Sequence, residues 1–162
     1  MIQIKKASQL DSNEVMNIRM EMLKVVNQVT GDIEFDDEFI EATRKYFQEA
    51  YQTTVLALED NKAVGCATIC YVSLMPTFDH PTGKRAHIMN VYTREGYRKQ
   101  GIAIKMMNVL VAEAKQKGVT ELSLDTTELG RPFYEACGFV ATEEGMVLNL
   151  NRGDLYENSL RY

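Results

Sequence analysis

The sequence predicts an α/β (α+β) fold in a single domain that spans residues 1–162. Short apolar runs with two-residue alternation are interspersed with longer segments whose apolar residues recur every three or four positions. A chain of 162 residues with 45% hydrophobic and 25% charged residues has the size and composition of one ordinary globular domain. We therefore expect a sheet covered by helices around one core.

The first part of the chain predicts a strand and two helices. Residues 2–6 alternate as a strand does, and residues 8–27 have helical spacing, with Asp11 or Ser12 as the cap. A second helix is expected over about 36–51. An acidic run at its start is typical of a solvated helix N-terminus, and the alternative is a negative rim that attracts an amine. The run consists of Asp32, Glu34, Asp36, Asp37, Glu38 and Glu41.

A hairpin and a long strand follow. Residues 53–59 and 63–74 predict two strands around a turn at residues 60–62, where Asp and Asn tolerate left-handed backbone. A loop over 75–85 leads into a fourth strand over 86–93. Cys66 and Cys70 share a face of the second strand of this hairpin. Because the chain has only two histidines and no CxxC motif, we interpret both cysteines as small core residues, not as metal ligands.

The remaining elements are a long helix, a fifth strand, a short helix and a last hairpin. The long helix begins near Ile102 and ends before Gly118, and residues 119–125 predict the strand. Pro132 suits the first turn of the short helix and Gly138 suits its exit. Two further strands are expected over 139–142 and 146–151, and the polar tail over 151–162 is expected to be loosely held.

The segment between the fourth strand and the long helix predicts a phosphate-binding loop. A strand followed by a glycine-containing loop and a helix start presents a row of free backbone N–H groups to an anion. Arg94, Arg98, Lys99 and Lys105 stand against the single acid Glu95, in a protein whose formal net charge is −5. Positive charge is thus concentrated where an anion would bind.

This loop resembles the signature of the GNAT superfamily of acyl-CoA-dependent N-acetyltransferases. That signature is Arg/Gln-x-x-Gly-x-Gly/Ala, and Arg98, Gly101 and Ala103 match it, whereas neither a Walker loop nor a dinucleotide loop fits. A second family motif, Tyr-x-x-x-Gly-Phe, is matched by Tyr134 and the two residues at 138–139. The order of the predicted elements is also similar to that of the family, from Ile2 to about Leu150.

The resemblance implies a fold and a co-substrate. The fold is a mixed, mostly antiparallel central sheet of about 6–7 strands, with helices on both faces and a splay between strands 4 and 5. The co-substrate is acetyl-CoA, whose pantetheine arm would pair with the fourth strand and whose pyrophosphate would lie on the loop. The implied binding residues are Val91, Tyr92, Thr93, Arg98, Lys99, Gln100, Gly101, Ile102 and Ala103.

The resemblance also implies an N-acetyltransferase, in which a neutral primary amine attacks the thioester directly. Tyr134 matches the residue that protonates the leaving thiolate. Many members carry an asparagine where this chain has Thr127, so Thr127 is not assigned a cofactor contact. The base stays open among Glu21, His87, Asn90 and Glu128. The alternative function is a non-catalytic acyl-CoA-binding or regulatory module on the same fold.

The composition also indicates which classes of partner the protein binds. The acidic balance disfavours nucleic acid and mildly favours a cationic substrate. The lack of a long apolar run or a signal peptide, together with three scattered cysteines, predicts a cytoplasmic protein without a membrane partner. We expect no metal. The acceptor is a small-molecule or peptide amine, with polyamine, amino acid, antibiotic and peptide N-terminus all open, and a homodimer is compatible with the resemblance.

Overall fold

The computed structural model describes residues 1–32 and 34–150, so the predicted tail over 151–162 lies outside the described residues. The chain divides into two compact units, one over residues 1–125 and one that begins at Thr126. The elements of the first unit are β1 (Gln3–Lys6), α1 (Ser12–Val26), α2 (Asp37–Glu49), β2 (Gln52–Glu59), β3 (Lys62–Ser73), β4 (Lys84–Thr93), α3 (Ile102–Gln116) and β5 (Glu121–Leu124). The second unit contains α4 (Arg131–Ala136).

The five strands form one sheet in the order β1-β2-β3-β4-β5. Neighbours from β1 to β4 are antiparallel, and β4 pairs with β5 in parallel. The hairpin between β2 and β3 turns at Asp60 and Asn61, whose φ angles are 49° and 63°. Asn and Asp are among the few residues that tolerate this conformation, so the sequence places the turn.

Helices cover both faces of the sheet. Leu56 and Cys66, which are paired across β2 and β3, pack with the buried face of α1. The neighbouring pair, Ala57 and Gly65, points to the other face because side chains alternate along a strand. A Cβ atom at Gly65 would lie 3.2 Å from the Met106 side chain of α3. α1 and α3 therefore lie on opposite faces.

The predicted count of 6–7 strands is wrong for the described residues, which contain five. Residues 139–150 form no strand, so neither the predicted strand over 139–142 nor the described part of the one over 146–151 is present. The alternation that suggested them is real, but Val140, Met146 and Val147 are exposed. A lone two-stranded hairpin is marginally stable, and a short alternating run becomes a strand only where a partner satisfies its backbone.

Candidate active site

β4 and β5 share hydrogen bonds over only part of their length. Their register begins with Arg85 opposite Glu121 and ends with Ile88 opposite Leu124. β5 stops there, whereas β4 continues to Thr93. Among the residues that the structure describes, the segment 89–93 therefore has no strand on its β5 side. The end of the ladder is compatible with the splay that the resemblance implies, and this segment of β4 offers a backbone edge to an extended ligand.

A β-bulge lies in the same part of β4. Cys66 faces Tyr92 and Thr68 faces Met89, so one residue of β3 stands opposite two of β4, at positions 90 and 91. Asn90 has a φ of 58°. Its carbonyl oxygen accepts a hydrogen bond from the Cys66 thiol, at 3.1 Å. Because bulges bend a strand and increase its twist, this one re-aims β4 as it enters the gap.

The loop before α3 contains two left-handed residues. Lys99 has a φ of 60°, and Gly101, which precedes the first helical residue, has a φ of 74°. A Cβ atom at Gly101 would contact only the Ile104 side chain, at 3.9 Å. The backbone angle, not crowding, is therefore what requires glycine here.

The start of α3 carries the free N–H groups that the loop pattern predicts. The N–H of Arg98 donates to the Glu95 carbonyl at 3.2 Å, and the N–H of Lys105 donates to the Gly101 carbonyl at 3.2 Å. Between them, the N–H groups of residues 99–104 donate to no acceptor within the described part of the chain. The helix dipole adds partial positive charge at the same place. This arrangement can bind an anion.

The predicted cofactor residues differ in what their side chains do. The Tyr92 ring is buried, and its hydroxyl donates to Glu21 at 3.0 Å, so only its backbone faces the gap. The Thr93 hydroxyl is buried and has no hydrogen-bond partner within the described part of the chain. The Arg98 side chain donates to the Thr93 carbonyl at 3.0 Å, which ties the loop to the end of β4.

The remaining members of the set form the loop itself. The Gln100 side chain donates to the Gly96 carbonyl at 3.2 Å and stabilises the turn. Ile102 is buried and fixes the first turn of α3 in the core, whereas Val91 and Ala103 are half-buried.

Three of the four predicted basic groups are available to an anion. Arg94 is held by Glu21 through three hydrogen bonds of 2.7 to 3.0 Å. Of the residues that the structure describes, no carboxylate lies within 4.0 Å of the charged groups of Arg98, Lys99 or Lys105. The loop is thus flanked by uncompensated positive charge.

The four candidate bases differ in their surroundings and in their basicity. The Arg94 hydrogen bonds hold the pKa of Glu21 below its usual range, which makes it a poor base for an ammonium ion. His87 lies on the paired half of β4, with Nδ1 2.7 Å from the Ser123 hydroxyl. Asn90 has no basic group. Glu128, in the second unit, is exposed and forms an ion pair with Arg131 at 3.3 Å.

A pocket of about 280 Å³ lies beside the free part of β4, between the sheet, α1 and α2. Met89 and Asn90 belong to its lining, so it adjoins the segment of β4 that β5 leaves. Its apolar wall is completed by Phe39, Ala42 and Phe47 of α2. A small acceptor could bind here, next to the open strand edge.

Arg19 is the charged side chain of this pocket, and it was not singled out from the sequence. Its Nη1 donates to Asn90 Oδ1 at 3.3 Å. A signal was present, because Arg19 lies four residues after Val15 and three before Met22, both of which are buried. A charged residue inside an apolar helical stripe indicates a polar pocket under that helix.

The second unit holds the second family motif. The Tyr134 ring packs edge-on against Phe133 and Phe139, with ring centroids 5.1 and 6.0 Å away. Burial, with a smaller effect of Cys137, raises the pKa of Tyr134, so the phenol is protonated at neutral pH. The Thr127 hydroxyl accepts from the Gly130 N–H at 3.3 Å, at the start of α4. Burial also raises the pKa of Cys137, which disfavours a nucleophilic thiolate.

Within residues 1–32 and 34–150, no group of three or more His, Cys, Asp or Glu side chains could hold a metal ion. No helix in that part of the chain is long and apolar enough to cross a membrane.

Comparison with known proteins places the chain among acetyltransferases. Residues 13–139 match the model of the Acetyltransferase (GNAT) family. A crystal structure of a predicted acetyltransferase with acetyl-CoA from Clostridium acetobutylicum superposes with a TM-score of 0.81 at 30% identity, covering 94% of this chain and 98% of that one.

Two curated relatives are named glucosamine 6-phosphate N-acetyltransferase. The protein of Trypanosoma brucei brucei is 32% identical over 89 residues, which cover 55% of this chain and 58% of that protein. The chain thus matches little more than half of that relative's length. The protein of Arabidopsis thaliana is 26% identical over 130 residues, which cover 77% of this chain and 85% of that protein.

Proposed function

Because the chain belongs to the acetyltransferase (GNAT) family, we propose that it is an N-acetyltransferase that transfers the acetyl group of acetyl-CoA to a primary amine of a small molecule or peptide. The observation that carries the proposal is the row of free N–H groups over residues 99–104, which follows the open edge of β4 along the chain. The 30% identical structure from Clostridium acetobutylicum, described with acetyl-CoA, supports it.

The geometry supports the binding roles that we propose. The pyrophosphate lies on the free backbone N–H groups from Lys99 to Ala103, while Arg98, whose own N–H donates to Glu95, contributes its side chain. The left-handed Gly101 opens the loop, and the positive charges of Arg98, Lys99 and Lys105 add attraction. The pantetheine arm pairs with the backbone of Val91 to Thr93, as an added strand would.

The chemistry is the attack of a neutral amine on a thioester. An alkylamine with a pKa of about 10.4 is neutral in only about one molecule in 2,500 at pH 7, so its deprotonation costs roughly 4.6 kcal/mol. A base, or a water path to one, therefore contributes. A backbone N–H near Val91 polarises the thioester carbonyl, and Tyr134 gives its phenolic proton to the departing thiolate. The amine forms its bond with the acetyl carbon directly, without a covalent enzyme intermediate.

The test is thiol release from acetyl-CoA in the presence of a panel of amines. The panel contains polyamines, amino acids, aminoglycosides, short peptides and, because of the two curated relatives, glucosamine 6-phosphate. We expect release above the amine-free rate, with one N-acetylated product for each thiol. Tight binding of CoA without release for any amine would contradict the proposal and favour the non-catalytic acyl-CoA-binding module.

A further inference from the structure

We propose that the acceptor is an apolar amine that bears a carboxylate, and that Arg19 binds this carboxylate in the pocket between α1, α2 and the sheet. The inference rests on the proposed transferase function and names the class of acceptor.

Arg19 is unlike most arginines of the described chain. The guanidinium groups of Arg44, Arg85, Arg94 and Arg131 each lie within 4.0 Å of a carboxylate. Of the six arginines that the structure describes, only Arg19 and Arg98 have no such partner. Arg98 is exposed at the proposed phosphate loop, whereas Arg19 is half-buried in the wall of the pocket. A guanidinium removed from water without a counter-ion is unfavourable, and an anionic ligand would relieve that cost.

Most donors of Arg19 are also unused. A guanidinium has five N–H donors in a fixed fork, and Arg19 makes one hydrogen bond within the described chain, to Asn90 at 3.3 Å. Burial lowers the pKa of Arg19, in line with its partial loss of hydration. The free side of the fork matches the two oxygens of a carboxylate.

The other polar groups of the pocket are already satisfied. The Thr43 hydroxyl donates to the Phe39 carbonyl at 2.8 Å, and the Tyr46 hydroxyl donates to the Cys70 sulfur at 2.8 Å. The Thr68 hydroxyl bonds to that of Thr54 at 2.8 Å and accepts from the Asn90 amide at 3.3 Å.

A bound ligand would therefore meet one cation and an apolar wall. Each buried hydroxyl without a partner costs about 1–3 kcal/mol, so this pocket is poorly suited to a sugar phosphate. A carboxylate on a compact aliphatic or aromatic body matches both the cation and the wall.

The test compares acceptors that differ only in the carboxylate. L-Leucine is paired with 3-methylbutylamine, L-phenylalanine with phenethylamine, and glucosamine 6-phosphate is measured beside them in the thiol-release assay. We expect kcat/KM to be about tenfold or more higher for each amino acid than for its matched amine. Arg19→Gln should remove this preference, and Arg19→Lys should retain part of it, because the charge stays while the fork is lost.

Matched controls separate binding from misfolding. Arg44→Gln removes an arginine of α2 that pairs with Glu41, and it should leave the preference intact. In Arg19→Gln the loss of kcat/KM should be larger for each amino acid than for its matched amine, because only the amino acid has a carboxylate for the guanidinium to bind. The inference is overturned if the matched amines are used as well as the amino acids, or if glucosamine 6-phosphate is preferred to both, although the transferase function then stands. If no amine releases CoA, the transferase function fails and the inference fails with it.

Discussion

Replacement of Gly101 by alanine tests the loop most directly. Gly101 has a φ of 74°, which is unfavourable for any residue with a Cβ atom by roughly 1–2 kcal/mol. The added methyl group meets nothing closer than Ile104 at 3.9 Å, so strain is its only direct effect on the free protein. If the loop relaxes before the ligand binds, this strain reappears as a loss of CoA affinity of about fivefold to thirtyfold. If the loop stays left-handed, it lowers the free energy of unfolding by the same amount.

Gly96→Ala is the matched control for this variant. Gly96 lies in the same loop, has no positive φ, and has open space around the position of a Cβ atom. Both variants reduce the entropy of the unfolded chain equally, so their difference isolates the left-handed angle. Calorimetry of CoA binding measures the loss of CoA affinity, and thermal unfolding with and without CoA measures the loss of stability. If the Gly101→Ala and Gly96→Ala proteins had the same affinity for CoA and the same stability, the left-handed loop geometry would be incorrect.

Three further predictions concern other parts of the chain. Tyr134→Phe should lower kcat while the affinity for CoA stays nearly intact, and an unchanged kcat would remove Tyr134 from the mechanism. Gly65→Ala should lower the free energy of unfolding by about 1–3 kcal/mol, because its Cβ would lie 3.1 Å from the Tyr92 carbonyl oxygen. Chemical denaturation measures this loss, and an unchanged free energy of unfolding would show that the sheet accommodates the methyl group. Glu113 is buried, and burial by itself would raise its pKa, but the hydrogen bonds from Lys6, Tyr71 and Thr53 together outweigh burial and hold the pKa below its usual range. The stabilisation is therefore present above about pH 4.3 and is lost as the pH falls through the lowered pKa. Glu113→Gln should therefore be less stable than wild type at pH 7, with a difference that narrows towards pH 3; a constant difference would contradict the assignment.

The elements from β1 to α4 were predictable because each carries its own local signal. Gly118 and Gly138 have φ angles of 72° and 96°, as the helix ends before them require. Asp36 accepts a hydrogen bond from the Glu38 N–H at 2.8 Å, so part of the acidic run caps α2. These features depend only on residues close together in sequence. The cofactor residues could be proposed from the sequence for the same reason, since the loop and the strand before it are contiguous.

Whether residues 139–150 form a hairpin, and where the pocket beside Arg19 lies, depends on residues that are distant in sequence. Residues 139–150 alternate, but a strand also needs a neighbour that sequence alternation does not specify. The pocket brings together α1, α2, β3 and β4, and no local pattern states that Arg19 would meet Asn90 across 71 positions. The charge of Arg19 in the apolar stripe of α1 indicated a polar group beneath the helix, but it did not indicate which residue supplies that group.

The bulge in β4 joins the two halves of the candidate site. It lies two residues beyond Ile88, the last residue that pairs with β5, and so it bends the strand near the point where that pairing ends. The left-handed Asn90 also binds both the Arg19 guanidinium and the Thr68 hydroxyl. One local irregularity thus lies on the edge that we assign to acetyl-CoA and contacts the cation that we assign to the acceptor. Since the two proposed ligands lie along the same few residues of β4, a change at Asn90 should affect the KM of both, whereas a change at Arg19 should affect only the acceptor's.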